Sequence, residues 1–183
     1  MSDTSTHYRR VAAGFTARVE GIDPEGWAAS VTPCPEWTVV DLVSHVTRTH
    51  RGVIARLDDL EAGEVDPDGD LLAQWRQAST AVTDALEDED RAGRIVGGMF
   101  GEQSFESLVR RLVCTDTLVH TWDLARTTGQ EERLDPEGVA LAMGFLGDLG
   151  DAIRSPGGFG PEIEPAVDAD EQTKFINFCG RVI

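Results

Sequence analysis

The sequence predicts an all-α chain, a four-helix bundle with short additions. Three observations carry that prediction: apolar residues recur every three to four positions in segment after segment, capping signals stand at segment starts, and no stretch alternates strictly between apolar and polar. At 183 residues with 40% apolar side chains, the chain can bury one sizeable core and is short for two, so residues 1–183 read as one domain. No internal repeat interrupts this pattern.

The first helix is expected from Tyr8 to Ile22, with Val11, Ala12, Phe15, Val19 and Ile22 on one face and the turn from Gly21 to Pro24 as its stop. After VTPCPEW, Thr38 is a good N-cap with Asp41 three residues on, a short-armed capping box opening a second helix that runs to about Leu60. The acidic loop AGEVDPDGD then breaks the chain. Gly69 is misplaced for an EF-hand and Gln77 stands where the bidentate Glu belongs, so calcium is not expected there. Leu71, Leu72, Trp75, Ala78, Val82 and Leu86 mark a third helix, with the charged run EDEDR as its solvated end. RIVGGMFGEQ is a glycine-rich connection that lacks the lysine and the preceding strand of a phosphate loop. Ser104 to about Thr127 forms the fourth and longest helix, with Gly129 as its stop, and Val139 to Ile153 forms a fifth. Residues 155–171, rich in Gly and Pro, read as an extended arm before a last short helix from Glu171 to Cys179.

Charge and composition narrow the function. Thirty-three acidic against 16 basic residues give a formal charge of −17, which repels nucleic acid and anionic membrane surfaces. The N-terminus has no apolar core of a signal peptide and no run is long enough to span a membrane, so a cytoplasmic location is expected. Three widely spaced cysteines, Cys34, Cys114 and Cys179, suggest neither a disulfide framework nor a CxxC metal site. One lysine against 15 arginines fits a GC-rich genome such as an actinobacterium's.

The fourth helix breaks its own pattern at DTLVHTWDLA. Advancing about 100° per residue from Phe105, the residues Leu108, Val109, Leu112, Val113 and Val119 define the core direction, and Asp116, His120 and Asp123 fall within it. Arg110, Arg111, Cys114 and Thr121 point away on the same wheel, which argues against Cys114 as a nucleophile. A buried carboxylate must be paired, protonated or bound to a cation, and Asp116 and His120, one turn apart, can converge on a single ion. A third ligand is expected from another helix. Periodicity alone favours His50, set among Val46, Val53, Ile54 and Leu57, over His45 at the edge of its stripe. The blander alternative is a core histidine paired with Asp116, with Asp123 capping or pairing with Arg126 and no metal. Trp37, Trp75 and Trp122 read as core packing rather than substrate stacking.

Three stretches, PCPEWTVVDLVSHV, DTLVHTWDLARTTGQ and DADEQTKFINFCGR, resemble the DinB-like superfamily, specifically the metal-binding domain of mycothiol-dependent maleylpyruvate isomerase and its uncharacterised actinobacterial relatives. The resemblance implies a DinB/YfiT-like four-helix bundle holding a divalent metal through His45, Asp116 and His120. It overrules the wheel for His50, which becomes a core or ligand-supporting residue. Zinc is the metal implied, with nickel or iron also compatible with imidazole. The implied activity is metal-dependent transfer of a low-molecular-weight thiol, mycothiol or one like it as co-substrate, to a small electrophile, or isomerisation of it. A small-molecule substrate and the thiol are then the partners, and a homodimer is an open alternative to a monomer. Asp123 is expected to orient a ligand or a metal-bound water; Arg126 meets an anionic substrate or, with more weight, favours the helix C-terminus. Two departures count against isomerisation of maleylpyruvate itself: Asp116 stands where the isomerase has Glu, and the isomerase's additional C-terminal domain is not expected. The competing reading is a non-catalytic, metal-stabilised module that binds a ligand or a protein.

Overall fold

The computed structural model describes residues 3–31, 33–34, 36–97, 101–154 and 159–183. Helices α1 (Asp3–Glu20), α2 (Val39–Leu57), α3 (Leu71–Glu87), the short α4 (Glu89–Gly93), α5 (Phe105–Leu108), α6 (Cys114–Thr128), α7 (Pro136–Leu149) and α8 (Glu171–Phe178) succeed one another along the chain. The long helices α1, α3, α2 and α6 close a ring in which each packs on the next, and α7 lies against α6 and α8. The all-α, DinB-like bundle is therefore the architecture observed. Its core holds Tyr8, Phe15, Trp75, Phe105 and Trp122 with no appreciable exposure, and Trp75 donates its indole N–H to Thr16 Oγ1 at 2.8 Å. No helix among the described residues is long and apolar enough to cross a membrane.

Local chemistry explains most helix ends. At the start of α2, Thr38 Oγ1 accepts from the Asp41 N–H while Asp41 Oδ2 accepts from the Thr38 N–H at 2.8 Å, the expected capping box. Gly129 closes α6 in the left-handed region with φ 68°, as its position just past the last periodic residue predicts.

Several boundaries differ from the sequence reading. Helix α1 begins one turn earlier, at Asp3, because Thr4, Ser5 and His7 are buried although polar and so leave no apolar signature. Helix α2 stops at Leu57, since Asp59 turns to a positive φ of 54° and leaves Leu60 exposed. The EDEDR run is a junction rather than a helix end: Asp88 terminates α3 and, through its side chain, caps α4. The connection after α4 carries a two-residue antiparallel pair, Ile95–Val96 with Gln103–Ser104, too short for alternation to reveal; residues 98–100 of it lie outside the described region. Helix α7 ends at Leu149, where a 3-10 turn, Gly150–Arg154, replaces the expected last α-helical turn. Residues 155–158 of the arm also lie outside the described region, and 159–170 carry no regular helix.

The fourth predicted helix is not uniform. Between α5 and α6, Val109–Val113 form a π-helical segment. A π segment inserts about one extra residue, rotating the residues on its C-terminal side by roughly 100° relative to an uninterrupted wheel. The wheel drawn from Phe105 therefore loses phase before Asp116, although the mutual spacing of Asp116, His120 and Asp123 is untouched. Contrary to that wheel, Cys114 and Thr121 are buried, because α1, α2 and α7 cover α6 from several sides.

Candidate metal centre

Two helices of the ring supply the cluster. The capped α2 presents His45 two turns past its start, and α6 presents Asp116 and His120 one turn apart, so three potential ligand atoms lie within 4.8 Å of one another. His45 Nε2 is 3.4 Å and His120 Nε2 3.6 Å from Asp116 Oδ1. These separations are long for hydrogen bonds, which centre near 2.9 Å. They lie near the edge, roughly 3.3–3.4 Å, of a tetrahedron whose centre is about 2.0–2.1 Å from each ligand. Asp116 Oδ2 is buried and has no hydrogen-bond partner among the described residues. A part-buried carboxylate with one oxygen lacking a partner among the described residues and the other 3.4 and 3.6 Å from two imidazoles is a donor set suited to a divalent cation.

Exposure grades across the cluster. The His45 side chain is 33% exposed, Asp116 22%, His120 8% and Asp123 0%, so the centre opens on the His45 side and is closed behind His120. Backbone bonds from Cys34 N–H to Val31 O and from Trp37 N–H to Cys34 O precede α2, and the half-buried Trp37 ring lies 4.9 Å from the His45 ring and 5.7 Å from that of His120. Trp37 is thus a wall of the site as well as a packing residue, whereas Trp75 and Trp122 belong to the core as expected.

Behind the ligands runs a buried chain of charge. His120 Nδ1 donates to Asp123 Oδ2 at 3.0 Å, which assigns Nε2 to the Asp116 side. Arg181 grips Asp123 with both arms of its fork, Nε to Oδ1 at 3.1 Å and Nη2 to Oδ2 at 2.8 Å. Burial works against charge on His120, but Asp116 and Asp123 outweigh it and raise its pKa to about 9. Burial likewise disfavours the charged Asp116 and Asp123, yet the histidines hold Asp116 well below the carboxylate range, and His120 with Arg181 lowers Asp123.

The sequence-predicted residues divide accordingly. His45, Asp116 and His120 come together, with Asp123 directly behind them. His50 does not join: its ring is fully buried against Trp75 and Tyr8, Nδ1 donates to Val46 O at 2.8 Å, and burial drops its pKa to about 4. Arg126 turns outward, pairing with Glu132 at 3.0 Å and lying over the Trp122 ring, so the expected link from Asp123 to Arg126 is replaced by Arg181. Cys114 is a buried thiol pushed up to about 12 by burial, no nucleophile, although not for the reason the wheel gave. Local sequence pattern gives Arg181 no role; the rule that a buried carboxylate requires a counter-charge, applied to Asp123, is the signal that points to it.

Residues 8–125 match the mycothiol maleylpyruvate isomerase N-terminal domain family, a span that holds His45, Asp116, His120 and Asp123. Two uncharacterized proteins of Mycobacterium tuberculosis, from strains CDC 1551 and H37Rv, are each 33% identical over 136 residues, covering 69% of this chain and 69% of the relative. No solved structure shows a significant match. With well over half of its length matched, the chain belongs to the mycothiol maleylpyruvate isomerase N-terminal domain family.

Proposed function

We propose that this protein is a divalent-metal-dependent enzyme that uses a low-molecular-weight thiol of the mycothiol type to add to, or isomerise, a small electrophile. The observation that carries the reading is the convergence of His45, Asp116 and His120, whose nitrogen-to-oxygen distances of 3.4 and 3.6 Å are long for hydrogen bonds and close to the spacing of ligands around one ion. Zinc fits the mixed imidazole and carboxylate set, and nickel or iron would accept the same ligands. Bound with a free position, such an ion lowers the pKa of a thiol or water ligand toward neutrality.

The chain's own residues supply the rest. Asp123 holds the Nδ1 proton of His120, keeping Nε2 available as a ligand. Trp37 stands over both histidine rings on the more exposed side, where it excludes water from one flank and offers an apolar face to an incoming substrate. Cys34, Cys114 and Cys179 all carry thiols raised by burial, so the reactive sulfur comes from a dissociable cofactor rather than from the chain.

Metal analysis of protein purified without a histidine tag or added metal tests the reading. About one divalent ion per chain is expected, lost in His120→Ala and in His45→Ala. With the ion present, thiol-dependent consumption of an electrophile such as a maleyl conjugate is expected to vanish on chelation and return on adding zinc. A chain that takes up no ion, or one whose metal content survives His120→Ala, overturns the assignment. A saturated site without thiol chemistry would leave a metal-stabilised binding module.

A further inference from the structure

We infer that Arg181 is a positioning residue for the metal centre, so that the C-terminal segment, beyond the family-matched span, sets the affinity of the site for its ion. This rests on the ligand assignment proposed above. Asp123 reaches His120 through one contact at 3.0 Å and Arg181 through two, at 3.1 and 2.8 Å, and both partners of that fork are buried, Asp123 at 0% and Arg181 at 8% exposure. An isolated carboxylate at such depth would turn toward water. The guanidinium pairs with it, fixes its plane by two parallel bonds, and leaves Oδ2 aimed at His120 Nδ1.

Arg181 is itself held on several sides. Its Nη1 donates to Cys179 O at 2.8 Å, its guanidinium lies over the Phe159 ring, and Nη2 sits 3.7 Å from Cys34 Sγ in the loop that carries Trp37. Its own carbonyl accepts from Asn177 Nδ2 on α8 at 2.9 Å. One side chain thus ties α8 and the arm to the back of a ligand on α6 and to the loop that walls the opening.

Partners that fix the orientation of a ligating histidine commonly control metal affinity by 10- to 100-fold. The test is zinc affinity by competition with a chromophoric chelator, together with the visible spectrum of the cobalt-substituted protein and the apo melting temperature. Arg181→Gln is expected to weaken zinc binding about 10- to 100-fold and to perturb the cobalt spectrum, and Arg181→Lys to recover part of the affinity. In a double-mutant cycle with Asp123→Asn the losses are expected to be strongly non-additive, because Arg181 reaches the ligating His120 through that carboxylate. A lowered apo melting temperature with unchanged zinc affinity, or additive losses, overturns the inference. Failure of the parent protein to bind zinc or cobalt overturns instead the ligand assignment on which it rests. Should Arg181→Gln fail to fold, Arg181→Lys supplies the same affinity and spectral readouts, with unchanged zinc affinity and cobalt spectrum overturning the inference.

Discussion

His45 and His50 occupy one helix, five residues apart, and their environments give them opposite properties. His45 is part-exposed beside a carboxylate, whereas His50 sits fully buried between Tyr8 and Trp75, donating Nδ1 to Val46 O and leaving Nε2 without a partner among the described residues. Burial drops the His50 pKa to about 4, against about 6.5 in an unfolded chain. Between those values the unfolded state binds a proton that the folded state refuses, so stability falls as pH falls through this window. Replacing His50 by Leu removes that penalty. In urea unfolding, the stability of His50→Leu relative to the parent is expected to improve by about 2–3 kcal/mol on going from pH 7 to 4.5, whatever packing cost the leucine carries at neutrality. A difference that stays constant over this range would show that His50 titrates normally. The wheel favoured His50 over His45, yet it is His45 that lies beside Asp116, while His50 is held by Val46 O between the Tyr8 and Trp75 rings.

At the scale of elements, the helix ends and the site differ in how far their causes lie apart along the chain. Thr38 and Asp41 cap α2 through bonds within four residues, and Gly129 stops α6 where periodicity ends, so both were legible. Asp116 and His120 were legible for the same reason, being one turn apart. The π segment at Val109–Val113 has no such signature, since one extra residue in a helix depends on what packs around it, and it shifted the wheel on which Cys114 and Thr121 were placed. Arg181 lies 58 residues from Asp123, a separation that no local pattern bridges. Two glycines separate local from long-range roles experimentally. Gly180 has φ 79°, and a Cβ there would stand 2.9 Å from Pro161 O and 3.0 Å from Gly160 backbone atoms, so Gly180→Ala strains the turn and displaces Arg181. Gly129, with φ 68°, has open space around it, and Gly129→Ala carries only the backbone penalty of about 1 kcal/mol. Both variants are expected to lower the melting temperature, but only Gly180→Ala to weaken zinc binding; equal zinc affinity in the two would disconnect the C-terminal turn from the centre.

For the whole molecule, the proposed ligand assignment sets the ion and the proton in competition for one nitrogen, which would make stability depend on metal and pH together. Against the opposing effect of burial, Asp116 and Asp123 raise the His120 pKa to about 9, against an unfolded value of about 6.5. Linkage gives the sign: this contribution is fully present below about pH 6.5 and is lost as pH rises through about 9. Net charge acts in the same direction, because a chain with 33 acidic and 16 basic residues repels itself more as its histidines lose their protons. Ligation as proposed would require the Nε2 lone pair, so binding would expel the proton and the ion would replace what deprotonation removes. At a free zinc concentration of about 100 times the dissociation constant, binding to the folded state alone adds about 2.7 kcal/mol, or roughly 5–10 °C in melting temperature for a chain of this size. Calorimetry with and without zinc at pH 6.5, 7.5 and 8.5 is expected to show the apo transition falling across the series, the zinc-loaded transition falling less, and the increment between them growing with pH at fixed free zinc. Proton release on binding, measured by titration in buffers of different ionisation enthalpy, is expected to approach one per zinc at pH 7.5. An increment that shrinks with pH, or binding without proton release, would mean that His120 is already neutral and that Asp116 and Asp123 do not hold it charged.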